Sequence, residues 1–147
     1  MKFSAALFTL SAALGVSAAP AAESVNMMAA TPQWTIRDLK RYCRPDDSLC
    51  YWKFGIDTGN NKPYECRYNV EGPGASKKRS AGPSTCGDYT VTSGWSDQFG
   101  ADQGFTTLSV VSNPKRQIIW PAYTDKQLAG GKIVKPDQSY SPASLPK

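Results

Sequence analysis

Two segments in the middle of the chain alternate between apolar and polar residues with a period of two. In Cys50–Asp57, Cys50, Trp52, Phe54 and Ile56 fall on one face and Tyr51, Lys53 and Asp57 on the other. In the following run Tyr64, Cys66, Tyr68 and Val70 share a face, and Glu65, Arg67 and Asn69 take the opposite one. The linker Thr58-Gly59-Asn60-Asn61 has turn chemistry, so the pair predicts a β-hairpin. Downstream, Tyr89–Thr92 and Gly104–Val111 are dense in β-branched and aromatic residues. The second run is nearly continuous and predicts a strand buried on both faces. Asn113-Pro114 predicts a turn and Gln117–Trp120 a further strand, ended by Pro121. Trp34–Leu39 begins with strand-like alternation, although Thr31-Pro32 could also open a helix as N-cap and N1. Thr124 followed three residues later by Gln127 has capping-box form, which predicts a short helix over Asp125–Ala129, stopped by Gly130-Gly131. Lys132–Val134 reads as a last short strand. The Gly-, Pro-, Ser- and Lys-rich segment from Glu71 to Thr85 reads as a loop, and the proline-bearing chain from Pro136 as a loose tail. These elements define an all-β fold: a small antiparallel β-barrel or sandwich of six to seven strands with one short helix.

The N-terminus has a different pattern. Lys2, the apolar run Phe3–Leu14 and the small residues Val16-Ser17-Ala18 have the order of a secretory signal peptide, with cleavage after Ala18. The apolar run is too short to span a bilayer. Residues 19–31 are Ala-rich without periodicity and read as a disordered leader. The expected organisation is therefore a signal peptide at 1–18, a leader at 19–31, one β-domain at 32–140 and a flexible tail at 141–147. Export changes the meaning of the cysteines. Cys43, Cys50, Cys66 and Cys86 become two expected disulfides. Of three connectivities, Cys43–Cys50 and Cys66–Cys86 close the short local loops, and chain entropy assigns them roughly 2.5 and roughly 3.3 kcal/mol.

Composition narrows the chemistry. The chain has no histidine, which removes Ser-His-Asp and Cys-His catalysis and the zinc peptidase motifs. The cysteine spacings do not match zinc sites, and Asp57-Thr58-Gly59-Asn60 lacks the rest of a calcium loop, so neither metal nor cofactor is expected. Asp46-Asp47, Asp97 with Asp102, and Asp125 are the carboxylates available to a glycosidase, but they sit in turn and cap contexts. The net charge of +5 is small and scattered, so nucleic acid is not an expected partner. Lys77-Lys78-Arg79 is the strongest basic cluster, suited to an anionic surface or a processing protease, or else an exposed, solvated loop. Arg37, Lys40, Arg41 and Arg44 form a second group, able to meet acidic polysaccharide or phospholipid headgroups but read as the wet side of one element. Trp52 and Trp120 lie in strand patterns and read as core. Trp95 sits in a polar, glycine-rich stretch between strands, where it either plugs one end of the domain or faces a partner. There is no Asn-X-Ser/Thr sequon.

Several of these residues also carry a family likeness. Cys86-Gly87-Asp88-Tyr89-Thr90-Val91, Gly94-Trp95-Ser96, Gln98-Phe99-Gly100, Gly104–Val111 and Pro121-Ala122-Tyr123-Thr124-Asp125 resemble small secreted proteins of filamentous fungi, among them the hypersensitive-response-inducing elicitors. The likeness runs from Trp34 to Tyr140. More remotely, the order of features is similar to the Alternaria major-allergen β-barrels, which implies a Cys66–Cys86 pair. The chain departs from that pattern in having Cys43 and Cys50 and no downstream second pair. The resemblance implies a secreted, non-enzymatic effector or elicitor. It would meet a plant surface or apoplastic protein, or a wall polysaccharide, and induce defence or cell death. Trp95, Lys77, Lys78 and Arg79 are the candidate contact residues. A wall carbohydrate-binding module and a carboxylate-dependent glycosidase are the rival readings.

Overall fold

The computed structural model describes residues 32–60 and 62–147, so the expected signal peptide and leader lie outside the described residues. Among the described residues, ten strands and one short α-helix follow in order: β1 (Trp34–Cys43), β2 (Leu49–Asp57), β3 (Tyr64–Glu71), β4 (Ala81–Cys86), β5 (Tyr89–Ser96), β6 (Phe105–Ser112), β7 (Gln117–Ile119), β8 (Ala122–Thr124), α1 (Asp125–Leu128), β9 (Gln138–Tyr140) and β10 (Ala143–Ser144). One sheet has the order β3-β2-β1-β9. The other runs β10-β7-β6-β5-β4, with β8 on β6. All pairings are antiparallel.

The β2–β3 hairpin has the expected faces. Cys50, Trp52, Phe54 and Ile56 are buried, as are Cys66, Tyr68 and Val70. Tyr64, at the strand end, is exposed instead and tilts against Tyr89. The turn is set by Asp57, whose carboxylate accepts from Gly59 N–H at 2.9 Å. β1 is a strand, not a helix, and carries a bulge between Arg37 and Lys40, with Asp38 at φ 49°. The extra residue flips the inward parity from Trp34 and Ile36 to Leu39 and Arg41.

The core unites both sheets. Trp34, Phe54, Ile56 and Tyr68 from the first meet Val91, Leu108, Val110 and Ile119 from the second. Tyr68 Oη and Ser93 Oγ share a hydrogen bond of 2.9 Å across that core, which satisfies two polar atoms that water does not reach. Two disulfides reinforce the framework. Cys43–Cys50 joins directly opposed residues of β1 and β2. Cys66–Cys86 joins β3 of one sheet to β4 of the other.

That second bond and the C-terminal segment close the architecture. β9 lies on the edge of the first sheet and β10 on the edge of the second, with only Ser141 and Pro142 between them. At the other end the two edge strands, β3 and β4, are held by Cys66–Cys86. The strands therefore form a circuit with two seams, one made by the chain and one by sulfur.

Several elements differ from the sequence expectation. The Glu71–Thr85 loop contains a 3-10 turn at Ala75–Lys77 and strand β4. β6 alternates, with Thr106, Leu108, Val110 and Ser112 buried and its other face half-buried, because only one side of its sheet meets the core. Lys132–Val134 forms no strand; Val134 N–H bonds the Leu39 carbonyl at 2.8 Å, and strands appear later, at β9 and β10. The capping box forms as expected, with Thr124 and Gln127 bonded reciprocally.

Candidate functional site

Trp95 lies on β5, not between strands, and is 8% exposed. Its position follows from what surrounds it. The Trp95 N–H bonds the Lys78 carbonyl at 2.9 Å, which ties the basic segment along β5. Gly94 permits that approach, since a Cβ there would stand 2.9 Å from the Arg79 carbonyl oxygen. The indole Nε1 donates to Asp125 Oδ2 at 2.9 Å, so a polar atom beneath the sheet is satisfied from the first turn of α1. Gly104 makes room for this pair, because a Cβ would collide with both the Asp125 carboxylate and the indole.

The basic cluster covers the ring. Lys77 Nζ stands 5.5 Å and the Arg79 guanidinium 5.4 Å from the Trp95 ring, both within cation–π range. Arg79 also pairs with Asp97 at 3.1 Å. Lys78 turns away and donates to the Glu71 carbonyl at 2.8 Å. The structure thus brings Trp95, Lys77 and Arg79 into one assembly, with the cations outermost and the indole as their floor. The ring face is not offered to a sugar.

The second basic group divides. Arg37 pairs with Asp57 at 2.8 Å and with Asp137 at 3.5 Å. Arg44 donates to Tyr51 Oη at 3.3 Å. Arg41, expected on the wet side, is only 9% exposed. It stacks over Trp52 at 5.4 Å and donates to the Ser76 carbonyl at 3.2 Å. Burial pushes its pKa down while Asp125 and Asp47 push it back up, and a guanidinium so placed stays charged. The β1 bulge is the cause of the misreading, because it turns position 41 inward.

Of the candidate carboxylates, all but Asp102 have a structural occupation. Asp46 accepts from Ser48 N–H and Oγ, which hold it below the usual carboxylate range. Asp47, at φ 53°, accepts from Ser76 N–H and Oγ, both at 2.8 Å. Asp97 holds Arg79, Asp102 is exposed, and Asp125 holds Trp95. Asp57, Glu65 and Asp137 are likewise lowered, the opposite of what a general acid needs.

The exposed aromatics are elsewhere than expected. Trp120, read as core, is 52% exposed, because the inward position at the end of β7 belongs to Ile119. Phe99 is 72% exposed and stacks on Phe105. Tyr42, 55% exposed, stacks on Tyr51 with centroids 6.5 Å apart. Among the described residues no helix is long and apolar enough to cross a membrane.

Fold and site together define a small two-sheet β-protein, stapled by two disulfides, whose exposed chemistry is cationic and aromatic. The model of the family described as Effector TSP1 matches residues 35–145, from the start of β1 to just past β10. A protein named Effector TSP1 from Hypocrea virens (strain Gv29-8 / FGSC 10586) is 49% identical over 138 residues, covering 94% of each chain. The chain belongs to the Effector TSP1 family and is, by that homology, a fungal effector protein.

Proposed function

We propose that the protein is secreted and acts outside the cell by recognition rather than catalysis. It would meet a plant surface or apoplastic component and elicit defence or cell-death responses. The observation that carries this reading is the identity of 49% to an effector, extending over 94% of both chains. The signal-like order of Met1–Ala18 and two disulfides suited to an oxidising compartment support export. Lys77 and Arg79, braced on Trp95, offer a pre-ordered cationic contact that loses little side-chain freedom on binding. Purified oxidised protein infiltrated into leaves is expected to raise a defence response. The same protein unfolded by heat and reductant is expected to lose it, and so is a folded Lys77→Gln, Lys78→Gln, Arg79→Gln variant. Silence of the native protein across several hosts would sink the proposal. Full activity of the triple variant would remove the basic cluster from it.

A further inference from the structure

A cavity of about 390 Å³ opens where the end of β1, the Arg44–Ser48 turn, Ser76 and the Leu128–Gly131 segment meet. Arg41 lines it, and this residue is the unusual feature. A guanidinium has five N–H donors. Arg41 is nine-tenths buried, yet among the described residues it makes one hydrogen bond, from Nη1 to the Ser76 carbonyl at 3.2 Å. The nearest carboxylate oxygen, Asp125 Oδ1, is 4.0 Å from Nη1, beyond hydrogen-bond reach. Asp125 Oδ1 is itself buried without a partner. Asp125 balances the charge at 4.0 Å, but burying a guanidinium is costly unless its donors are also used, and most of these have no acceptor among the described residues.

The rest of the cavity suits an acidic sugar. Arg44 adds a second cation at the rim, steadied by Tyr51 Oη. Tyr42, stacked on Tyr51, gives an exposed aromatic wall against which a sugar ring can lie. Gly130 and Gly131, both at positive φ, line the space beside Tyr42, and a Cβ on Gly131 would stand 3.4 Å from the Tyr42 ring. Asp47 also lines the space, but both its oxygens are taken by Ser76. The volume falls in the range of small-molecule sites. In the larger cleft nearby, Arg37 and Lys53 are already matched by Asp57, Asp137 and Glu65, and the third cation, Lys40, is not a buried guanidinium.

We infer that this cavity is a binding site for a uronate, a sugar ring bearing a carboxylate. The carboxylate meets the free N–H groups of Arg41 in a charge-assisted, fork-like contact, Arg44 adds a second charge, and the ring rests on Tyr42. The inference goes beyond elicitation and stands apart from it: a protein that binds uronate and elicits nothing would keep this site and lose the proposal above.

Calorimetric titration of the purified, oxidised protein with trigalacturonate tests it. Saturable binding is expected, with none to the neutral galactose trisaccharide. Arg41→Lys keeps the charge and removes the fork, and is expected to weaken binding about tenfold or more. Arg41 packs on Trp52, so the exposed variants Arg44→Gln and Tyr42→Ala provide an independent reading and should each weaken binding several-fold. Lys53→Gln, outside the cavity, should match the parent. Absence of saturable uronate binding overturns the inference. So does unchanged affinity in folded Arg44→Gln and Tyr42→Ala, or inorganic sulfate binding as tightly as the uronate.

Discussion

Asp47 shows how much one residue can hold. Its φ of 53° is a conformation that Asn, Asp and Gly tolerate better than other residues, and its carboxylate occupies two donors of Ser76. Asp47→Ala should lower stability by about 2–3 kcal/mol, because it strains the turn and leaves the Ser76 N–H without its acceptor. Asp47→Asn should lose less, and urea midpoints would separate the two; equal midpoints would show that the contact matters little. The ionic cluster at the other end of β1 predicts acid behaviour. Asp57 is held below its ordinary value chiefly by the Arg37 hydrogen bond and then by Gly59 N–H. Burial raises Asp137, but Asp38 N–H, Lys135 and Arg37 outweigh it and leave it lowered. A carboxylate lowered on folding contributes stability that is complete above its unfolded value, 3.8, and is lost as the pH falls through the folded one. With no histidine to titrate, stability should be flat from about pH 5 to 8 and fall below about pH 4. Asp57→Asn should show a shallower acid slope in thermal melts across that range. At this scale the sequence was partly legible. The Asp57-Gly59 turn and the Thr124 cap were visible as local chemistry. The inward Arg41 and outward Trp120 were not, because their faces depend on a bulge at Asp38 and on where β7 stops.

Elements were legible in proportion to their regularity. β2 and β3 alternate without interruption, so sheet membership and core face could both be read from the sequence. β4 could not, since Ala81-Gly82-Pro83-Ser84 offers weak strand formers and its pairing with β5 is broken by a register shift. β9 and β10 are three and two residues long and exist only because β1 and β7 present edges to them. The disulfides differ in kind for the same reason. Cys43–Cys50 links strands that already share a ladder, whereas Cys66–Cys86 links strands of different sheets. Cys66→Ser with Cys86→Ser should therefore cost more, about 3.3 kcal/mol, than Cys43→Ser with Cys50→Ser, about 2.5 kcal/mol. Equilibrium unfolding in urea gives the order directly, and the reverse order would contradict the role assigned to the Cys66–Cys86 seam.

For the whole molecule the decisive relation is the one between the sheets, and no local pattern encodes it. A barrel and a sandwich have the same alternation; what distinguishes this fold is that its two sheets are joined at both sides. The residues after Tyr140 belong to that arrangement. Leu145 N–H bonds the Arg116 carbonyl at 2.9 Å, and Arg116 donates to the Pro146 carbonyl at 2.9 Å. Removing residues 141–147 should lower the melting temperature and promote self-association, because β7 would then expose unpaired backbone at a sheet edge. Light scattering and thermal melts would check this, and an unchanged, monodisperse product would refute it.

The two seams also give the molecule two separate points of vulnerability. Reduction of Cys66–Cys86 would open one seam and cleavage after Tyr140 the other; the sulfur seam is the better sheltered, since Cys66 and Cys86 are buried while Ser141 is exposed. Either event converts a closed circuit into an open strip with bare edges. The closed form is thus expected to be lost through two unrelated chemistries, thiol exchange at one seam and proteolysis at the other.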